Sequence, residues 1–496
     1  MRILLASAEV APFARVGGLS DVVGALSKEL ASLGHEVSVF LPNYATIDAE
    51  KFGVEAVAGV GPLSIPMGDA TEEVRLLRCE MPGGAGVRVF LLDHPPSFDR
   101  EGIYVDPATG HGYPDETRRY ALASRAILEA VPALGLEPDV LHLNDHHTAL
   151  VLGYRRRLYA DHPVLARAGA VFSIHNLGYQ GRFRPDLLPK IGLDESLCRY
   201  GSVFEFNGVV NPMKIGIELA DYVNTVSERY AVEISSTAEY GADLEGNLAA
   251  RRKAGRLVGI LNGVDYSVWD PSVDPLIPER YDADSLEGKA RCRAALVERC
   301  GLSAIGEAPL VGMVSRLADQ KGFDLVKEAA EDLLALGLGL VVLGTGQEEH
   351  HRFLESLAKK HAGRVSANLL FDNELAHWIE AGSDMFLMPS RYEPCGLNQM
   401  YSLRYGTVPV VRSTGGLVDT VEDYDPETGS GTGFRFDDYS ADAMTEAVGR
   451  AVRLFGQPDR WTTVVRRGMG MDFGWAVSAG KYVELYETAA RAARGS

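Results

Sequence analysis

The feature that most limits what this chain can fold into is a rhythm. Short, β-branched apolar runs alternate with longer stretches of helical periodicity along its whole length. Strand–helix alternation is the pattern of parallel βαβ units. Near-continuous apolar runs of four or five residues, rather than alternating ones, fit strands covered on both faces. In the first half, strands are predicted near Ile3–Ala6, Val37–Leu41, Val89–Leu92, Val140–Leu143, Ala170–Ile174 and Tyr222–Thr225. In the second half they fall near Leu310–Val314, Leu340–Leu343, Ala367–Phe371, Met385–Met388 and Val408–Val411. The class is therefore α/β. At 496 residues the chain is too long for one ordinary core, and its length admits two to four domains. Leu257–Pro271, with a turn-forming Asn262-Gly263 and a terminal proline, reads as a hinge between two complete α/β patterns. The Pro- and Asp-rich stretch after it, to about Ser285, is expected to wrap the surface.

Composition excludes several classes. A content of 46% hydrophobic and 24% charged residues is that of a packed globular protein, without disordered or repetitive segments. The formal charge of −19 argues against nucleic acid or an anionic membrane as partner, since both demand a basic face. Cys79, Cys198, Cys292, Cys300 and Cys395 are odd in number and form no C-x-x-C pair, so a reducing, cytoplasmic compartment is expected. The N-terminal apolar run is short and broken by Glu9. A first buried strand fits it better than a signal peptide.

Six loops carry candidate chemistry. Arg15-Val16-Gly17-Gly18-Leu19-Ser20-Asp21 follows a strand and opens a helix. Its N–H groups and helix dipole suit an anion, and Arg15 suits phosphate; the plain alternative is a tight turn with a solvated arginine. It is not a dinucleotide fingerprint, and Gly344-Thr345-Gly346 lacks the third glycine of one. Thr414-Gly415-Gly416-Leu417 echoes the first loop in the second half. Two facing, doubly wound domains would bring both loops to the ends of their sheets where ligands bind. Arg316 and Lys321, five residues apart after Leu310–Val314, can converge on a diphosphate whose charge grows as it leaves. Glu393, set in Pro389-Ser390-Arg391-Tyr392-Glu393-Pro394-Cys395-Gly396-Leu397, is the sharpest single residue; its alternatives are a helix cap or an ion-pair partner. Cys395 reads as packing rather than nucleophile. His142-Leu143-Asn144-Asp145-His146-His147 and His175-Asn176 end strands too. Four histidines and an aspartate invite a zinc reading, but thiolates are lacking and adjacent His146 and His147 should diverge on a helix. No metal is therefore expected, and a sugar pocket fits these polar groups better.

Taken together, these motifs resemble the bacterial glycogen and plant starch synthases, retaining glycosyltransferases of family 5 with the two-Rossmann-domain GT-B fold. The resemblance runs from the first strand through Tyr113-Pro114-Asp115, Asn262-Gly263-Val264-Asp265, Tyr405-Gly406-Thr407 and Asp419-Thr420-Val421 to Asp472-Phe473-Gly474-Trp475. It implies an N-terminal acceptor domain over residues 1–257 and a nucleotide-sugar domain over 258–471. A closing helix over 472–496 returns to the first domain, with the substrates in an interdomain cleft. The implied reaction moves glucose from ADP-glucose to the non-reducing end of an α-1,4-glucan with retained configuration, without cofactor or metal. UDP-glucose as donor, a small acceptor, and a non-catalytic sugar-nucleotide binder are the alternatives. Arg316 and Lys321 would hold the diphosphate with Arg15, Gly17, Gly18 and Asp21, and Phe371 would stack on the base. Glu393 would face the glucose, with Cys395, Gly396, Leu397, Asn398, Thr414, Gly415, Gly416 and Asn262 around the sugar phosphate. Asp145, His175 and Asn176 would hold sugar hydroxyls. The chain departs from the family at Arg15 (usually lysine), Phe371 (often tyrosine), Asn398 (frequently threonine) and Asn144–His147, where H-D-W-H is common.

Overall fold

The computed structural model describes residues 1–84 and 86–495, which form two compact units. The first comprises Met1–Val226, Ala231–Ile260 and the residues from Trp475 on; the second comprises Ser227–Tyr230 and Leu261–Gly474.

In the first unit, parallel strands lie in the order Leu257–Gly259, Tyr222–Thr225, Gly169–Ile174, Val140–Asn144, Arg2–Ala6, Glu36–Pro42 and Arg88–Asp93. Val140–Asn144 and Gly169–Ile174 are buried at every position, which is why apolar residues dominate them and their polar members, His142, Asn144 and Ser173, are hydrogen-bonded inside the sheet. The chain builds outward from Arg2–Ala6 on one side and then returns to build on the other. Strand order thus reverses between Arg2–Ala6 and Val140–Asn144. The carboxyl ends of these two strands deliver the Arg15–Asp21 loop and Asp145, the position where doubly wound sheets take ligands. An antiparallel extension, Ala70–Glu80 with Leu63–Met67 and Glu55–Ala56, was not expected. Its exposed positions include Glu73, Arg75 and Arg78, so it has no continuous apolar run to betray it. Helix Trp475–Arg494 packs on this sheet: the Tyr486 hydroxyl bonds His142 Nδ1 at 2.7 Å and the Tyr482 hydroxyl accepts from Asn224 Nδ2 at 3.1 Å. Left unpaired, such buried groups would cost about 1–3 kcal/mol each.

In the second unit all strands are parallel, in the order Val365–Asn368, Gly339–Leu343, Leu310–Val314, Met385–Met388, Val408–Arg412 and Phe434–Phe436. Order reverses between Leu310–Val314 and Met385–Met388, so loops 315–322 and 389–397 flank that point.

Two expectations need correction. Leu257–Gly259 is an edge strand of the first sheet, not part of a hinge. The units therefore divide after Ile260, and again after Gly474 because the Val264 N–H bonds Phe473 C=O at 2.7 Å. The stretch after Pro271 runs over the surface as irregular, mostly exposed chain, pinned inward at a few positions. Asp274 is buried and bonds His377 Nδ1 at 2.7 Å and the Tyr405 hydroxyl at 2.6 Å. Phe371 lies beyond its strand, which stops at Asn368, because Asp372 already caps the next helix by accepting the Leu375 N–H at 2.9 Å. Among the described residues no helix is long and apolar enough to cross a membrane.

Candidate active site

The second unit assembles its polar groups around one ion pair. Lys321 closes the turn after Leu310–Val314, and its Nζ donates to Glu393 Oε2 at 2.6 Å. Ser390 Oγ donates to the same oxygen at 2.9 Å. Glu393 is only 5% exposed, and its pairing is what makes burial of a carboxylate tolerable. Backbone geometry fixes both partners. Gly322 has φ 76°, and a Cβ there would lie 2.1 Å from the Pro389 oxygen. Gly415, at φ 48°, would put one 1.9 Å from the Glu393 oxygen, and the Gly416 N–H bonds that same carbonyl at 3.1 Å. Only glycine fits such close approaches at positive φ. The second glycine loop therefore clasps the Glu393 segment. Thr414 is buried beside it.

Around this pair the sequence-predicted residues divide. Arg316 is exposed on the same loop as Lys321. Asn262 is buried, its side chain bonds the Cys395 thiol, and its Oδ1 has no partner among the described residues. Burial pushes the Cys395 thiol up to about 12, consistent with a packing role. Gly396 and Leu397 are half-buried. The Asn398 amide is spent on Val314 C=O at 3.3 Å and Glu380 Oε1 at 3.4 Å. Phe371 is 83% exposed, an unusual state for a large apolar ring.

In the first unit the glycine loop is organised by a residue that sequence reasoning used only to dismiss a signal peptide. Glu9, buried at the end of the first strand, accepts the N–H groups of Val16 and Gly17 on Oε2 at 2.7 and 2.9 Å. Tyr104 OH donates to its other oxygen at 2.9 Å. Burial raises this carboxyl, against those three donors. The signal available was a lone charge inside an apolar strand end, a few residues before a glycine pair. Arg15 and Asp21 pair at 3.1 Å, so the guanidinium fork is directed along its own loop. Gly17 and Gly18 are exposed.

Asp145 opens the helix Asp145–Leu158 with φ 55°, a left-handed conformation that aspartate tolerates at a cost and that gathers at functional sites. Its carboxylate accepts the His175 N–H at 2.8 Å and the Asn176 N–H. Burial nevertheless pushes it up to about 7. His175 Nε2 bonds Asn144 Oδ1 at 2.9 Å, and Asn144 Nδ2 donates to Ala6 C=O at 3.0 Å. That chain of bonds assigns the proton to Nε2 and leaves Nδ1 of His175 as an acceptor. Burial pulls His175 down to about 3, so the ring is neutral. The Asn176 side chain accepts the Gly178 N–H at 3.0 Å. His142 is turned away into the sheet, bonded to Ser173 Oγ and Tyr486. His146 and His147 do not diverge as helix geometry suggests; their rings lie 3.8 Å apart, 33° from parallel.

Residues 2–250 match the family model described as the starch synthase catalytic domain, and residues 301–464 match that of glycosyl transferases group 1. With two doubly wound units, the chain is a glycosyltransferase of the GT-B fold. It is 45% identical over 492 residues to the glycogen synthase of Koribacter versatilis, covering 99% of this chain and 98% of that one. It is 43% identical over 489 residues to the glycogen synthase of Syntrophotalea carbinolica, covering 99% of each. The catalytic domain of starch synthase IV from Arabidopsis thaliana, solved bound to ADP and acarbose, matches with a TM-score of 0.89 at 34% identity over 99% of each chain. The chain belongs to the glycogen synthase and starch synthase family.

Proposed function

We propose that this chain transfers glucose from ADP-glucose to the non-reducing end of an α-1,4-glucan, releasing ADP and retaining the anomeric configuration. The observation that carries the reading is the Lys321–Glu393 pair where strand order reverses, in a chain aligned end to end with glycogen synthases. The starch synthase IV neighbour, solved with ADP and acarbose, supports both the adenine nucleotide and a glucan-like acceptor.

As the glycosidic bond breaks, charge accumulates on the departing diphosphate, and fixed cations lower the barrier by stabilising that charge. In this reading Lys321, oriented by Glu393 and Ser390, is the fixed cation. Arg316, exposed on the same loop, is free to fold over the phosphates, and Phe371 offers a flat face to the base. The buried Asn262 Oδ1 is an acceptor for a donor-sugar hydroxyl. In the first unit, His175 Nδ1 accepts a sugar hydroxyl and Asp145 fixes the backbone beneath it. Retention follows from same-face attack, with the leaving phosphate taking the acceptor's proton. Nothing in this route calls for a cofactor or metal. Five free cysteines and the want of a membrane-spanning helix among the described residues support a cytoplasmic setting.

The test is direct. Purified protein is incubated with glycogen and either ADP-glucose or UDP-glucose, and released nucleotide and product size are measured. ADP release with polymer growth is expected. Release only with UDP-glucose would correct the donor, a disaccharide product would correct the acceptor, and no transfer from either donor would refute the activity.

A further inference from the structure

One cluster in the first unit takes no part in the chemistry above. Glu116 begins the helix Glu116–Ala133, and His146 and His147 lie in the first turn of Asp145–Leu158. An oxygen of Glu116 and one nitrogen of each imidazole lie within 4.8 Å of one another. Glu116 Oε1 stands 3.9 Å from His147 Nε2, too far for a hydrogen bond. Nδ1 of His146 and Nδ1 of His147 are both buried without a partner among the described residues, an arrangement that leaves their desolvation uncompensated. The other nitrogen of His146 is engaged by the Tyr179 backbone. A backbone bond on one nitrogen sets the lone pair on the other, the arrangement that orients metal-bound histidines. His147 is held between Tyr104, stacked at 4.9 Å, and Tyr120, edge-on at 4.6 Å. Neighbouring helical residues ordinarily point about 100° apart, so the face-to-face rings are a local departure.

We infer that Glu116, His146 and His147 form a binding site for one divalent transition-metal ion of the zinc class. Two imidazoles and one carboxylate are a borderline donor set, suited to zinc, cobalt or nickel rather than to magnesium or calcium. Three protein ligands leave a fourth position for water or a ligand oxygen. Tetrahedral donors around zinc sit about 3.4 Å apart, so the set must contract by roughly 1 Å. Glu116, with 40% of its side chain exposed, has the freedom to make that movement.

The experiment uses the full chain, stripped by chelator and dialysed against Co²⁺. One Co²⁺ per chain is expected, with visible d–d absorption that Zn²⁺ abolishes and excess Mg²⁺ does not. E116Q and H146W should each weaken binding at least tenfold with unchanged far-ultraviolet circular dichroism. X-ray absorption of the loaded wild type should show two imidazole ligands, a readout independent of whether any variant folds. No ion bound at micromolar Co²⁺, wild-type affinity in both variants, or a spectrum without imidazole scattering would each overturn the site.

Discussion

Each unit places a buried carboxylate beside the point where its strand order reverses, and the two are held in opposite ways. Glu393 is met by a lysine ammonium at 2.6 Å and a serine hydroxyl at 2.9 Å. Asp145 is met by backbone N–H groups and neighbouring neutral histidines, and burial lifts it to about 7. Exposure is nearly equal, 5% against 8%, so burial does not explain the contrast. Compensation does: a lysine meets Glu393, while only neutral donors meet Asp145. A charged, paired cluster suits a diphosphate leaving group. A polar, uncharged one suits sugar hydroxyls, where a full charge would gain little.

Breaking the charged cluster should have the largest effect. Lys321→Ala should lower kcat by about 10²–10³-fold, the loss typical for removing one transition-state stabiliser. Glu393→Ala should approach it with the fold intact by circular dichroism, because the ammonium loses its orientation. Wild-type turnover in either variant would remove the second unit's claim on the diphosphate.

Asp145 tests the other side through stability. Below the unfolded pKa, near 4, both states hold the proton. As pH rises toward about 7 the unfolded chain ionises first, so folding stability from this group is lost with rising pH. Asp145→Asn removes that loss. The unfolding free energy of the variant relative to wild type, from urea denaturation, should therefore climb between pH 4 and pH 7, by on the order of 2–4 kcal/mol. A flat difference would mean the carboxylate is compensated after all.

Glu9 gives a third, smaller test, because it organises the glycine loop of the first unit. Hydrogen bonds to a charged group are worth about 1.5–3 kcal/mol, so Glu9→Gln should raise the donor KM about tenfold or more while kcat changes less. Phe371→Ala should have the mildest effect, a several-fold weaker nucleotide affinity from lost stacking. Its melting temperature should not move, since the ring is already 83% exposed.

Much of this contrast was legible in the residues, and the missing part has physical causes. Leu310–Val314 and Met385–Met388 announce themselves because strands buried on both faces are apolar throughout, and Tyr222–Thr225 does so despite its buried, hydrogen-bonded Asn224. The Ala70–Glu80 strand has one wet face and half its residues disguise it. Leu257–Gly259 was too short, and too close to Asn262-Gly263, to be separated from a turn. The glycine loops and Glu393 stood out by composition, yet the group that holds the first loop, Glu9, looked like an interruption. Nor could spacing show that His146 and His147 would face each other, since ring orientation follows from packing against Tyr104 and Tyr120.

The division of labour itself is tested most directly by ADP binding, measured calorimetrically on wild type, Lys321→Ala and Asp145→Asn. The account predicts at least tenfold weaker ADP binding in Lys321→Ala and affinity within twofold of wild type in Asp145→Asn. Unchanged affinity in the lysine variant, or an equal loss in the aspartate variant, would contradict it.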